Sequence, residues 1–383
     1  MPELPDVTVY VERVADRVVG QTLLAVRLGS PFLLRSVEPP LKDAFGKRVL
    51  AMERIGKRII FVLEDELFLV LHLMVAGRLK WAAAGAKIPG KVGLAAFDFS
   101  SGTLLLREAS SKKRASLHVV RGRAALAEHD RGGIEPLEVT LPEFAAAVRR
   151  ENHTLKRTLT DPRIFSGIGN AYSDEILHRA KLSPVALSQK LPDEAMARLY
   201  EATRALLAEW TERLRGESLT TFPENVTAFR PEFAVHGKYR QPCPVCGKPV
   251  QRIRYAENET NYCAVCQTGG KLLADRALSR LLHGDWPRSL DEMDERKELG
   301  RATLAAAGLS RPDVKDDAGA EVEEPAGEHV LGQPVKQPGA VAKGNGKRKH
   351  DGERAAAQAP ELGHAQRTKH PAGAKNKKQR QKR

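Results

Sequence analysis

The sequence has few cysteines and no long apolar segment, and each shortage excludes a class of protein. All four cysteines lie between residues 243 and 266, which in a reducing compartment argues for metal ligation rather than for a disulfide framework. No apolar run approaches the roughly 20 residues that span a bilayer. Glu3 and Asp6 stand where a secretory signal carries positive charge. The sequence therefore predicts an intracellular protein with no membrane association.

Aromatic residues are also scarce, at 5% of the chain, and they are almost absent beyond about residue 309. That segment cannot bury enough surface to offset its ordering entropy, so we expect residues 309–383 to be a disordered tail. Residues 343–383 alone carry 13 Lys and Arg against 3 acidic residues, which is most of the net charge of +14. We expect the tail either to add salt-sensitive affinity for nucleic acid or to act as a solubilising extension.

The rest of the chain has the composition of a folded protein. With 383 residues and 42% hydrophobic content, the chain is long enough for two or three packed domains. Apolar spacing predicts a helix over Val7–Val19. Residues 21–120 change to short β-rich runs, such as Arg58–Leu63 and Leu67–Leu73, which indicate an antiparallel β-sandwich. The spacing in residues 124–215 then predicts a second, helical domain.

The cysteines form two CxxC pairs, and 16 residues, 247–262, separate the pairs. This spacing suits two knuckles that present four thiolates to one Zn²⁺. Four protein ligands leave no open position for water, so the predicted zinc is structural rather than catalytic. The intervening hairpin is basic, which fits either a contact with a phosphate backbone or a solvated surface. A helical signal at Leu272–Leu282 follows the cysteines.

A glycine-rich turn, Gly167-Ile168-Gly169-Asn170, lies between helical segments. Its glycines permit a backbone that turns without a Cβ clash, so a phosphate can approach the N–H groups closely, with Asn170 as an additional donor. We expect Glu175, in the following helix, to hold the turn from behind. Lys156 adds positive charge a few residues earlier. The alternatives are a plain interhelical turn and a solvated helix face.

The chain begins Met1-Pro2-Glu3. Pro2 is small enough to permit removal of Met1, which leaves a secondary amine at the terminus. An α-amino group has a pKa of roughly 8, so it is partly uncharged near neutrality and can attack the anomeric carbon of a nucleoside to form a Schiff base. Glu3 would move protons beside it, and Lys57, at a predicted strand start, would hold a phosphate. A proline after Met is common, so this interpretation depends on its context.

Taken in order, these motifs resemble those of the formamidopyrimidine-DNA glycosylase and endonuclease VIII family of bifunctional DNA glycosylases. The matching segments are Pro2-Glu3-Leu4-Pro5, Gly56-Lys57, His72-Leu73 with Ala76-Gly77-Arg78, the turn from Gly167 to Glu175, and the closing zinc finger. The resemblance covers residues 2–267. Five motifs in one order are much more specific than any one of them.

The resemblance implies an α+β multidomain fold, with an N-terminal helix and antiparallel β-sandwich, a helix-two-turn-helix domain, a four-cysteine zinc finger and the disordered basic tail. The expected boundaries are 1–122 for the catalytic β-sandwich domain, 123–232 for the helix-two-turn-helix DNA-binding domain, 233–270 for the zinc finger, 271–308 for a helical extension and 309–383 for the tail.

The resemblance also implies an activity. Pro2 would attack C1′ of a flipped-out damaged nucleotide, Glu3 and Lys57 would complete the catalytic residues, and β- then δ-elimination would follow from the Schiff base. One structural Zn²⁺ would be bound by Cys243, Cys246, Cys263 and Cys266. Contacts with damaged double-stranded DNA are implied for Lys57, His72, Lys112, Arg114, Lys156, Asn170, Lys238 and Asn258. We expect a monomer in the cytoplasm, at the nucleoid if the source is bacterial.

Several positions depart from the family's pattern. Asp6 stands where the formamidopyrimidine branch usually has Glu. Val75, Lys112 and Arg114 occupy the positions of the Met, Arg and Phe that fill the gap left by the flipped base, and Asn258 replaces a finger Arg. These changes favour a different lesion preference. A catalytically reduced DNA-binding or damage-sensing protein on the same scaffold is the second hypothesis, and an RNA-binding or unrelated zinc-ribbon protein is the third.

Overall fold

The structure, a computed structural model, describes residues 1–224, 226–227, 229–255, 258–273 and 286–306. The predicted tail at 309–383 and most of the predicted helix Leu272–Leu282 lie outside these residues. Within them, we find no helix that combines the length and the apolar character needed to cross a membrane.

The described elements follow the predicted order: an N-terminal helix, then eight strands, then a helical region, then the two-stranded hairpin of the finger. The helices are α1 (Leu4–Val18), α2 (Arg123–Ala127), α3 (Leu141–Arg149), α4 (Leu155–Thr160), α5 (Asn170–Arg179), α6 (Asp193–Glu217), α7 (Ala264–Thr268) and α8 (Leu290–Ala306). The strands are β1 (Ala25–Leu28), β2 (Val49–Ile55), β3 (Arg58–Leu63), β4 (Leu67–His72), β5 (Gly77–Ala82), β6 (Gly93–Phe99), β7 (Gly102–Glu108), β8 (Ser116–Arg121), β9 (Gln251–Tyr255) and β10 (Asn258–Tyr262).

The first eight strands form the predicted antiparallel sandwich. One four-stranded sheet has the order β1-β6-β7-β5, and the other has the order β2-β3-β4-β8. Every pairing in both sheets is antiparallel. The inner faces meet in a core where the rings of Phe61 and Phe97 stack 5.5 Å apart. β3 and β4 are apolar along almost their whole length, so one face of each strand is buried in this core and the other is buried in a second apolar cluster that includes Leu126 of α2.

Helix α1 connects the sandwich to the helical domain. Val7, Tyr10, Val14 and Val18 recur at helical spacing and are fully buried in the sandwich core. Leu4, at the start of the same helix, is instead buried in the core of the helical domain. The N-terminus is therefore fixed between the two cores.

Two boundaries differ from the sequence prediction, and both differences have local causes. Helix α1 begins at Leu4 rather than Val7 because Asp6 Oδ2 accepts the N–H of Glu3 at 2.9 Å, which caps the first turn. The predicted helical region is divided into separate helices. Its last helix, α6, runs 25 residues and ends at Glu217 rather than at residue 215, because apolar residues keep their spacing to Leu214.

Candidate functional site

The N-terminus lies in a cavity at the junction of the two domains. Met1 lines a cavity of about 310 Å³ together with Lys57, His72 and Gly167. Pro2 itself is buried. The backbone N–H of Leu4 donates to the carbonyl of Gly167 at 2.9 Å, so the glycine turn is bound directly to the chain terminus.

Glu3 is held at the N-terminal end of helix α5. Its carboxyl oxygens accept the N–H groups of Gly169 at 2.6 Å, Ala171 at 2.9 Å and Tyr172 at 3.2 Å. Only 2% of Glu3 is exposed. Since helix N-termini favour negative charge, the first turn of α5 fixes this carboxyl group both geometrically and electrostatically.

Lys57 reaches the same turn from the sandwich. A Cβ added at Gly169 would lie 2.4 Å from Lys57 Nζ and 2.6 Å from Glu3 Oε1. Burial lowers the pKa of Lys57, while the nearby charge of Glu3 acts in the opposite direction. The absence of a side chain at Gly169 therefore allows the ammonium of Lys57 and the carboxyl group of Glu3 to approach one backbone position.

Two expectations for the glycine turn are wrong. The N–H groups of Gly169, Ala171 and Tyr172 are not available to a phosphate, because Glu3 accepts all three. Glu175 does not hold the turn from behind. Its carboxyl group accepts the backbone N–H groups of residues 234–236 at 2.8–2.9 Å, so it holds the segment that leads into the finger.

The amine at the chain terminus has an unusual environment. Burial lowers the pKa of the Met1 amino group, and the charges of Glu3 and Lys57 act on it in opposite directions. A buried amine with a lowered pKa is more often uncharged near neutrality, which is the state a nucleophile needs. Removal of Met1 would leave the amine of Pro2 as the terminus.

His72 lies at the end of β4 on the cavity wall. Its Nδ1 accepts the N–H of Met74 at 2.9 Å, which leaves Nε2 as the protonated nitrogen of the neutral ring. Burial, followed by the charges of Arg58 and Lys57, lowers the pKa of His72 to about 4. His72 is therefore a neutral hydrogen-bond donor near pH 7.

Asp6 is a structural group in this arrangement. Besides capping α1, it accepts a 3.1 Å hydrogen bond from Arg230, and both side chains are buried. Burial raises the pKa of Asp6, and the positive charge of Arg230 offsets only part of this increase. Asp6 also lines a larger cavity of about 640 Å³ beside α1 and α6.

Lys156 and Asn170 connect α5 to its neighbours. Lys156 Nζ donates to the carbonyl of Asn170 at 2.6 Å and pairs with the buried Asp174 at 2.5 Å. Asn170 Nδ2 donates to the carbonyl of Glu259 in the finger at 2.9 Å. Both predicted DNA-binding residues therefore have intramolecular partners, and Asn170 lies where the helical domain meets the finger.

The three positions predicted to fill a base gap lie in two loops of the sandwich. Val75 is 53% exposed and follows Met74, which has a positive φ of 52°. Lys112 and Arg114 are exposed in the segment between β7 and β8. Glu108, which is 1% exposed, accepts the backbone N–H of Arg114 at 3.0 Å and fixes the end of that segment.

The finger hairpin carries a different charge pattern from the one its basic composition indicates. Glu259 pairs with Arg252 at 3.3 Å and with Arg254 at 3.4 Å across the β9–β10 ladder. Asn258 is exposed at the start of β10, and Lys238 is partly buried in the preceding segment. Part of the positive charge on the hairpin is therefore neutralised within it.

The four cysteines converge as their spacing predicts. The sulfur atoms of Cys243, Cys246, Cys263 and Cys266 all lie within 4.8 Å of one another. Two of the separations are 3.9 Å and 3.4 Å, close to the roughly 3.8 Å between sulfurs that tetrahedral Zn–S bonds require. The donor set fits one structural zinc ion with no open position.

Sequence reasoning missed three buried polar residues that organise the site, namely Glu108, Asp174 and Arg230. Each is charged and almost completely buried, with 1%, 1% and 8% exposed. Single positions of this kind give no periodic signal, and their partners lie up to 224 residues away in the sequence.

Comparison with known proteins covers the same three regions. Residues 1–115 match the formamidopyrimidine-DNA glycosylase N-terminal domain, residues 133–222 match the formamidopyrimidine-DNA glycosylase H2TH domain, and residues 240–269 match the zinc finger found in FPG and IleRS.

Full-length relatives match over the same part of the chain. Formamidopyrimidine-DNA glycosylase of Thermus thermophilus is 35% identical over 280 residues, which is 70% of this chain and 100% of the relative. That of Heliobacterium modesticaldum is 31% identical over 277 residues, again 70% of this chain and 100% of the relative. A Mycobacterium tuberculosis protein described as an uncharacterized formamidopyrimidine-DNA glycosylase-like protein is 39% identical over 150 residues, 39% of this chain and 93% of the relative.

Solved structures agree. A complex between a Lactococcus lactis FPG mutant and a Fapy-dG containing DNA matches with a TM-score of 0.62 and 26% identity, over 70% of this chain and 100% of that chain. The MutM (FPG) protein of Thermus thermophilus matches with a TM-score of 0.59 and 33% identity, over 70% of this chain and 98% of that chain.

Proposed function

The chain belongs to the formamidopyrimidine-DNA glycosylase and endonuclease VIII family and is a DNA glycosylase of DNA repair, and from that premise we propose that it also cleaves the strand through a Schiff base on Pro2. The observation that carries this proposal is the position of Glu3. Its carboxyl group is fixed by the amides of Gly169, Ala171 and Tyr172, at the start of helix α5, beside the buried chain terminus and Lys57. A nucleophile, a proton carrier and a cation are therefore close together.

The proposed chemistry begins when Met1 has been removed. The lone pair of the Pro2 nitrogen forms a bond to C1′ of the extruded nucleotide as the C1′–N bond breaks, and the base leaves with the bonding electrons and a proton. The C1′–O4′ bond then opens, O4′ takes a proton, and a positively charged iminium joins Pro2 to C1′. Glu3 is the proposed carrier of these protons.

Strand cleavage follows from the iminium. Loss of a proton from C2′ breaks the C3′–O bond and expels the 3′ phosphate, and loss of a proton from C4′ breaks the C5′–O bond and expels the 5′ phosphate. Water then hydrolyses the iminium and restores the Pro2 amine. Lys57 is proposed to stabilise a flanking phosphate, because it presents a cation to the cavity that contains the terminus.

The DNA partner follows from the same family. The matched Lactococcus lactis FPG binds a Fapy-dG containing DNA, which supports damaged double-stranded DNA as the ligand. We propose that the DNA crosses the junction between a catalytic domain at 1–122 and a DNA-binding domain at 123–232. The zinc finger, at 233–270, follows these two domains in the sequence. Contacts are proposed for His72, Lys112, Arg114, Lys156, Asn170, Lys238 and Asn258. Because the relatives named above come from bacteria, the nucleoid is the proposed place of action, and the proposed oligomeric state is a monomer.

Borohydride trapping on duplexes with an abasic site tests the proposal. The mature protein, with Met1 removal verified by mass, should form a covalent adduct that disappears in Pro2→Gly. Pro5→Ala is the matched control, because it changes a nearby proline and leaves the terminal amine intact. Clear binding without any adduct would overturn the proposal and favour a damage-sensing protein on the same scaffold. A panel of oxidised and ring-opened bases would then identify the substrate.

A further inference from the structure

Helix α5 connects the Glu3 site to the zinc finger. At its N-terminal end, the backbone N–H groups of Gly169, Ala171 and Tyr172 donate to the carboxyl group of Glu3. At its C-terminal end, His178 Nε2 lies 3.3 Å from the sulfur of Cys243, which is one of the four zinc ligands. His178 is 6% exposed and Cys243 is 2% exposed, so this contact is shielded from water.

The direction of the hydrogen bond follows from the chemistry of the sulfur. A zinc-bound cysteine is a thiolate and carries no proton, so it can only accept. The imidazole must therefore donate its Nε2–H to Cys243. Hydrogen bonds to metal-bound ligand atoms fix the position of the ligand and change its electron donation to the metal.

Two further contacts on α5 hold the finger in register with His178. Asp174 lies one helical turn before His178. Its carboxyl group accepts hydrogen bonds from Nδ1–H of His236 at 2.8 Å and from the backbone N–H of Asn261 at 3.1 Å. Glu175 accepts the N–H of Val235 at 2.9 Å. Side chains four residues apart lie on one face of a helix, so Asp174 and His178 act on the finger from the same side.

We propose that His178 is a positioning residue of the zinc site, which donates a hydrogen bond to the Cys243 thiolate, slows release of the metal and locks the finger to helix α5. This role concerns metal retention, so it does not depend on the Schiff-base chemistry of the proposed function. Its consequence for DNA binding is indirect. The carbonyl of Glu259, which Asn170 holds at 2.9 Å, belongs to the same finger.

Metal release and spectroscopy test this role on the full-length protein. His178→Phe keeps an aromatic ring at the position and removes the donor, whereas His178→Gln keeps an N–H donor on a flexible side chain. We expect His178→Phe to release zinc to a colorimetric chelator about 10- to 100-fold faster than the wild type. His178→Gln should recover part of this difference. His153→Phe, in the helical domain and paired with Glu151, is the matched control and should release zinc at the wild-type rate.

Cobalt substitution gives a readout that a packing defect alone would not produce. With Co²⁺ bound in place of zinc, loss of the hydrogen bond should shift the sulfur-to-cobalt charge-transfer band in His178→Phe, and His178→Gln should move it back. Unchanged metal release together with an unchanged band in His178→Phe would overturn the proposal. Failure of the proposed function would instead be seen as the absence of a borohydride adduct in the wild type, whatever the metal release.

Discussion

The carboxyl group of Glu3 accepts the backbone N–H of Gly169 at 2.6 Å, across 166 positions of sequence. This contact joins the first helix of the sandwich domain to the helix that carries the finger contacts. It also explains why Gly169 has no side chain, because a Cβ there would lie 2.6 Å from Glu3 Oε1 and 2.4 Å from Lys57 Nζ. The glycine turn therefore positions the carboxyl group of Glu3, which is the proposed catalytic carboxyl group.

Replacement of Gly169 by alanine should damage this arrangement. The added Cβ must displace Glu3 or Lys57, and overpacking of this kind costs about 1–3 kcal/mol in stability. We expect Gly169→Ala to reduce the rate of borohydride-trapped adduct formation at least about tenfold, corresponding to about 1.4 kcal/mol in the barrier.

Gly216→Ala provides the matched control. Gly216 lies in helix α6, and a Cβ there would meet no atom within 4 Å. That variant should keep the wild-type rate and unfold at the same temperature or slightly higher, since alanine favours helix. A Gly169→Ala variant as active as the wild type would contradict the proposal that the turn positions Glu3.

The charge of Lys57 should be measurable in DNA binding. If Lys57 contacts a phosphate, Lys57→Ala should lower the slope of log K against log salt by about 0.9, the value expected for one released counterion on duplex DNA. Affinity for an abasic-site duplex, measured by fluorescence anisotropy at several salt concentrations, gives that slope. Arg198→Ala removes an exposed arginine of α6 and should leave the slope unchanged. If the slope in Lys57→Ala equalled that of the wild type, Lys57 would not contact a phosphate.

His72 should make the protein sensitive to acid. Its pKa is about 4 in the folded protein and about 6.5 in the unfolded chain, so only the unfolded state binds a proton between these values. The free energy of unfolding is unaffected by this group above pH 6.5 and falls by up to about 3 kcal/mol as the pH drops toward 4.

Replacement by asparagine isolates this effect, because its side-chain oxygen can still accept the N–H of Met74. His72→Asn should lose less stability than the wild type between pH 6.5 and 4 in denaturant titrations, although both share the acid sensitivity of the zinc thiolates. If the free energy of unfolding fell equally with pH in the wild type and in His72→Asn, His72 would be protonated equally in the folded and the unfolded state, which would contradict the prediction.

The basic tail should contribute to DNA affinity through its charge. Residues 343–383 carry 13 Lys and Arg against 3 acidic residues, so a chain truncated after Leu309 should bind undamaged duplex more weakly at low salt and show a smaller salt slope. Adduct formation at saturating DNA should not change. If the salt dependence of DNA binding had the same slope with and without the tail, the tail would instead be a solubilising extension.

Strand and helix types were predictable because each depends on local spacing. The short apolar run of β3, Arg58–Leu63, and the helical spacing of Val7, Tyr10 and Val14 appear directly in the sequence. The start of α1 was not predictable to the residue, because it depends on the hydrogen bond from Glu3 to Asp6. Glu175 was assigned to the turn beside it, but its partners are the amides of residues 234–236, about 60 positions away.

The sequence by itself determined the zinc ligands, the sandwich and the family, because CxxC spacing, short β-rich runs and ordered motifs can all be recognised without the tertiary structure. Only the tertiary structure decided how these parts act together. It brought the amides of Gly169, Ala171 and Tyr172 to Glu3 rather than leaving them for a phosphate, and it placed His178 against Cys243. The physical reason is that a buried polar group must find a partner, and which partner it finds depends on how the domains pack.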